Sequence, residues 1–508
     1  MPFPIPFFRT TLLVAAAVAV ILLAGSDLRA QPGVGDATDL RQADEELRKR
    51  LAPLAPMVRE ALAGKDRDAQ RAALGIAADF PRDMANTARL PAAVAAFLLR
   101  DANDPELFAM GLRAYGRMFP AAADLARVAS RHQKAESAEV RRATAEALAT
   151  AIQNASPEGK QLAAARYFVE ICTVALPKLA ELLDDPDEAV ERIAVDGVAF
   201  AARVVTDVYT FDAGPAADEP KPKEGAGRFD QLRPVLQGLA HSIPHLAKPL
   251  AGREPVTRLA AARVTETLAV TRRTVLTTHP PGEPAATDPF AGAWTTLRPA
   301  LADHIKDPDP EVRLAVAQAL ESLGDGLDSR DLLRQATADR SVFVRWTAAR
   351  ALGRTAPAKP AAAAVADDVA ALAKLAADGD PDVRTAALNS LARFGTAAQS
   401  ASQAVLNAAS RGDIEPRVAA IKALGALQTD AARTVPVLIE ALQTPLLRVQ
   451  PDLRLQRVAA AGLSRFGPDA KAALPELRKA VLSDDPELRL AAAEAILAIE
   501  RVTRIKEL

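Results

Sequence analysis

The stretch DPDPEVRLAVAQALESLG, which begins at Asp307 and ends at Gly324, decides the fold of this chain. Its opening Asp and Pro suit a helix start: an aspartate accepts from amides that have no partner in the first turn, and proline fits there without losing a bond. Val312, Val316, Ala319, Leu320 and Leu323 then recur at helical spacing on one face. Gly324 supplies the exit. The stretch returns as DRSVFVRWTAARALGRT from Asp339, DGDPDVRTAALNSLARFG from Asp378, RGDIEPRVAAIKALGAL from Arg411, PDLRLQRVAAAGLSRFG from Pro451 and SDDPELRLAAAEAILAI from Ser483. Anchored on Arg313, Arg345, Arg384, Arg417, Gln456 and Arg489, the copies step by 32, 39, 33, 39 and 33 residues.

Several copies are preceded by a second apolar helix with a proline near its start, at Pro299, Pro436 and Pro475. The unit is therefore helix, acidic turn, helix, and one such hairpin cannot bury its apolar face without neighbours. Composition agrees. Of 508 residues 49% are hydrophobic but only 4% aromatic, so small and aliphatic side chains must fill the interior, and strand formers are too few for a large sheet. The expected fold is all-α: a right-handed α-solenoid of stacked helical hairpins.

The D-x-D-P-x-V-R-x-x-A-x-x-A-L pattern resembles the HEAT family, in particular the short HEAT-like repeats also found in phycobilin lyases, over 297–499. The resemblance implies a HEAT/ARM-type superhelix. It does not carry lyase activity with it, because such repeats recur widely as plain scaffold. Related pieces sit at Asp104, Ala138 and Asp184, where Phe108 and Glu191 replace the arginine in the first and last. The expected organisation is a signal peptide at 1–30, a tether at 31–40, degenerate helical repeats at 41–205, a loop at 206–230, a helical repeat at 231–271, a second loop at 272–292 and the regular array at 293–508. Both loops rest on Pro, Gly and charged content that does not pack as helix.

Arg9, the apolar run from Leu12 to Ala24 and the Leu28-Arg29-Ala30 sequence read as a secretory signal cleaved near Ala30. The run is short for a membrane span. The expected location is extracytoplasmic, secreted or periplasmic, with no membrane span once the signal is removed; the alternative is an uncleaved segment that anchors the N-terminus in a membrane. Cys172 is the only cysteine, which excludes an intramolecular disulfide and fits a buried apolar side chain.

A net charge of −1 excludes the global basic excess of non-specific nucleic-acid binding. No zinc-binding helix motif, phosphate loop or nucleophile elbow is present, so no catalytic residue, metal ligand or cofactor is assigned. His241 and His245 are four apart, but Pro244 intervenes. The anchor arginines and turn aspartates recur with every repeat, as a structural ladder does and a single catalytic constellation does not.

Five and nine residues past the anchor, the side chains point away from the core. In the four middle copies these columns hold Arg350, Arg354, Arg393, Lys422 and Arg465 and no acid, and Trp346 lies one residue past its anchor. These six residues are the expected partner-binding face, on the second helix of each hairpin and on the concave side. The expected partner is a protein with an acidic surface, and the chain a non-catalytic scaffold or adaptor. The alternatives are an accessory subunit of an enzyme complex and a HEAT scaffold that binds nucleic acid.

Overall fold

The computed structural model describes residues 45, 48–100, 104–157, 165–211, 229–278, 288–324, 329–355, 361–410, 412–443 and 453–506. The stretches expected to be a signal peptide and a tether, 1–30 and 31–40, fall outside them. Among the described residues the regular elements are all helical, and no helix is long and apolar enough to cross a membrane. The chain divides into two compact units at Leu297 and Arg298, and within each the described helices stack as hairpins in an all-α, solenoid-type array.

In the second unit the repeated stretch forms the second helix of each hairpin: Pro310–Leu323, Val342–Arg354, Pro381–Phe394, Ile414–Leu427, Arg454–Phe466 and Pro486–Lys506. Each packs against the next. The side chains expected to start them do so: Asp309 accepts from the Glu311 amide at 2.8 Å, and Asp380 from Asp382 and Val383. Gly324, Gly395 and Gly467 end three of them at φ of 57°, 56° and 52°, a region that strains any residue with a Cβ. The first helices begin earlier than their prolines indicate. Pro299 lies inside Ala293–His304 and Pro436 inside Ala431–Gln443.

Among the described residues the first unit repeats the scheme in five hairpins, whose second helices are Arg67–Asp79, Pro105–Arg117, Ala138–Asn154, Glu188–Phe211 and Pro255–Thr277. Helices run into the starts of both stretches expected as loops. Residues 206–211 continue the helix Glu188–Phe211, and Tyr209 stacks on Phe229 with ring centroids 4.1 Å apart. Residues 272–277 likewise belong to Pro255–Thr277, where Arg272 is buried and binds Asp288 at 2.7 Å. The central parts of both loops, 212–228 and 279–287, lie outside the described residues.

The second helices bury more than one stripe. Residues two and four past the anchor are buried as well, as in Ala315 and Ala317, Ala386 and Leu388, and Ala419 and Ile421. Each inner helix has a neighbouring second helix on both flanks, so a single apolar face is not enough. Contact between neighbours is close because of a fixed register: the residue eight past one anchor meets the residue six past the next. A Cβ on Gly425 would stand 2.7 Å from the Gly462 Cα, and one on Gly116 would stand 2.6 Å from the Ala147 Cα. Gly353 meets Ser390 in the same register, and the Ser390 hydroxyl donates to the Ala349 carbonyl at 2.8 Å.

Candidate functional site

The anchor arginines form the expected ladder. Arg345 donates from Nε and Nη2 to both carboxylate oxygens of Asp378 in the following turn, at 2.8 and 2.9 Å. Its Nη1 reaches back to the Asp339 and Arg340 carbonyls of its own turn, at 3.0 and 3.1 Å. Arg313 repeats the pattern with Asp339 and Arg141 with Asp185, so the ladder extends into the degenerate half. The Arg345 guanidinium holds the Asp378 carboxyl below the usual carboxylate range, and Asp378 Oδ1 also accepts from the Asp380 amide. Every guanidinium nitrogen in these rungs is engaged, which makes them structural rather than reactive.

Where the arginine is missing, other residues take its place. Glu191 stands at the anchor position behind the Asp185 turn, and Lys248 from the next hairpin supplies the cation. Lys248 Nζ lies 3.0 Å from Glu191 Oε1 and donates to the Asp184 and Asp185 carbonyls. Burial of Glu191 pushes its carboxyl up despite Lys248. Phe108 instead packs its ring 4.9 Å from the His132 ring, whose Nε2 lies 2.8 Å from the Leu98 carbonyl. Behind Gln456, Arg457 takes over the rung and pairs with Asp485 and Glu487.

Of the six residues expected on the binding face, the structure brings three together, Trp346, Arg350 and Arg354, and adds an acid that changes the charge of that part. The Arg350 guanidinium lies over the Trp346 indole, 4.2 Å from the ring centroid. Trp346 is half-buried, whereas Trp294, the other tryptophan, is fully buried. Arg350 and Arg354 also share one acid, Glu321 Oε1, at 2.8 and 3.2 Å. Glu321 lies eight past its anchor, the contact position that holds glycine in Gly353 and Gly425, and it is buried there. In the four middle copies the two columns hold no acid, but the neighbouring column of the first copy does, so the basic stripe is neutralised at its first two members. Arg393, Lys422 and Arg465 are exposed, and no ion pair engages them among the described residues.

Sequence reasoning overlooked Phe343, which is 67% exposed three residues before Trp346. Its signal was available. Two residues before the anchor the other copies carry Glu311, Asp382, Glu415, Arg454 and Glu487, and only this copy carries an apolar side chain. Phe343, Trp346 and Arg350 follow at intervals of three and four and so share one side of the helix Val342–Arg354.

His241 and His245 face each other with ring centroids 5.3 Å apart, and His245 Nδ1 lies 2.6 Å from Asp184 Oδ2. No cluster of three metal-ligating side chains occurs among the described residues. Cys172 is buried.

A family model described as HEAT repeats matches residues 298–371 and 369–450. No curated protein matches the chain. Among solved structures, an engineered protein aligns with 88% of this chain and 98% of its own, at 19% identity and a TM-score of 0.45. The hairpins, their anchor ladder and the family model coincide, and residues 298–450 are an array of HEAT repeats.

Proposed function

We propose that the chain is an exported, non-catalytic repeat scaffold that docks a protein partner on the second-helix face of its HEAT array. The observation that carries this reading is the exposed Phe343 beside a half-buried Trp346 whose indole is covered by Arg350. Two aromatic rings and a guanidinium on one helix face are the side-chain types that dominate binding hot spots. The repeat does not require an aromatic side chain at the Phe343 position, because the other copies carry charge there. HEAT repeats commonly mediate protein interactions, and a surface with Arg393, Lys422 and Arg465 exposed favours an acidic partner. Arg350 and Arg354 contribute less to that preference, since Glu321 already balances them.

The test is affinity purification of the exported protein beside a Phe343→Ala, Trp346→Ala double variant, with mass spectrometry of what is retained. A partner held by the wild type and lost by the folded variant supports the reading. The same partner retained equally by both refutes this face. Recovery of nucleic acid in place of protein refutes the partner class.

A further inference from the structure

A second candidate site lies on the first helices rather than the second. A cavity of about 330 Å³ opens between three successive first helices of the C-terminal unit, and apart from two alanines its walls are Arg298, Arg330, Arg334, Asp331 and Asp367. Behind it Asp368, 1% exposed, accepts from Arg330 Nη1 at 3.2 Å and from Arg334 Nη1 at 2.6 Å. Arg298 Nη2 donates to Asp331 Oδ2 at 2.7 Å, while Asp331 Oδ1 is buried and has no hydrogen-bond partner among the described residues.

This cluster differs from the ladder in one respect that matters. A ladder arginine such as Arg345 has all three of its nitrogens engaged by the protein, whereas Arg330 and Arg334 each give one nitrogen to Asp368. Their remaining N–H groups are held in place at the cavity without a protein acceptor among the described residues. Two preorganised guanidiniums match a planar carboxylate, which they bind through paired hydrogen bonds. The orphaned Asp331 oxygen asks for a donor beside that carboxylate. The walls offer almost no apolar surface, and the volume falls at the small end of ligand pockets.

We propose that this cavity binds a small polyhydroxylated carboxylate of sugar-acid type, its carboxylate on Arg330 and Arg334 and a hydroxyl donated to Asp331 Oδ1. The site is independent of the partner-binding face and stands or falls separately from it.

The test is isothermal titration of the full chain with D-glucuronate, D-glucose and inorganic phosphate. Glucuronate is expected to bind saturably in the millimolar range and to raise the melting temperature, while glucose, which lacks the carboxylate, does neither. Arg334→Lys keeps the charge but loses the fork and should weaken binding by about tenfold. Ala364→Phe, at an exposed position in the cavity wall, should abolish it by filling the space. Absence of saturable glucuronate binding overturns the proposal, as does wild-type affinity in Ala364→Phe. Phosphate binding as tightly as glucuronate overturns the hydroxyl contact to Asp331 and leaves a bare oxyanion site.

Discussion

Arg345 joins two hairpins through Asp378: the same guanidinium that takes both oxygens of that carboxylate also holds the carbonyls of its own turn. Side chains on this rung are 18% and 10% exposed, whereas Arg384 pairs with an Asp413 that is 63% exposed. Arg345→Ala should therefore destabilise by about 1–3 kcal/mol, and Arg384→Ala by less, because a solvated partner contributes little. Chemical denaturation of the two variants checks the order. Equal losses would mean that burial does not set the strength of a rung.

The rung also predicts a pH dependence. Asp378 is held below its ordinary range in the folded state, so its contribution is present above the pH at which an unfolded aspartate titrates, about 4, and disappears as pH falls through the lower folded value. Asp378→Asn should lose stability at neutral pH and lie closer to wild type in acid. Melting curves across that window measure the convergence, and a constant gap would contradict it.

Glu191 works in the opposite sense. Burial raises its carboxyl above the ordinary range, so protonation is favoured by folding, and this group's contribution grows as pH falls through the raised value, is complete below the ordinary carboxylate range and is lost as pH rises again. Glu191→Arg alone would place a second cation at the carbonyls that Lys248 already holds and should cost about 1–3 kcal/mol. Adding Lys248→Glu exchanges the two charges and should recover most of that loss. A double-mutant cycle measures the coupling, and additive losses would show that the two do not act as one exchanged rung.

The register between second helices predicts an asymmetry between two glycines. A Cβ at Gly425 meets the Gly462 Cα at 2.7 Å, whereas one at Gly462 finds nothing nearer than Leu438 at 3.4 Å. Gly425→Ala should cost about 1–3 kcal/mol through overpacking. Gly462→Ala should be neutral or stabilise by a few tenths, since alanine favours a helix by about 1 kcal/mol over glycine. Thermal melts of both variants decide whether backbone approach at this point sets the spacing of the array.

Glu321 predicts how the binding face responds to charge. Glu321→Ala leaves Arg350 and Arg354 half-exposed without their acid, at a stability cost of about 1 kcal/mol or less. With a partner in hand, association should become faster at low salt and the gain should vanish at high salt. Trp346→Ala should weaken the same complex by about 2 kcal/mol, and Arg393→Glu should slow its association. Stopped-flow or surface-binding kinetics at two ionic strengths separate the effects, and unchanged kinetics in all three variants would remove this face from consideration.

The sequence by itself determined the helical hairpin, its six regular copies, the caps at Asp309 and Asp380, the glycine exits and the recurrence of the anchor arginine. These are local properties: periodicity, capping and turn chemistry act within about twenty residues and repeat with the period. The spacing of Trp346 and Arg350, four residues along one helix, also allows the contact that the structure shows, wherever that helix lies. Tertiary structure alone decided what each copy meets in the next one. The cation for Glu191 comes from Lys248, 57 positions along the chain, and the acid beneath Arg350 and Arg354 comes from Glu321, outside the columns that alignment of the repeats singled out. The cavity at Arg330 and Arg334 likewise draws on three first helices, whose short apolar runs carry no signature of one another. A repeat pattern reports the face that a helix must bury, whereas the partner across that face is fixed only when neighbouring backbones settle into one register at a distance their smallest side chains allow.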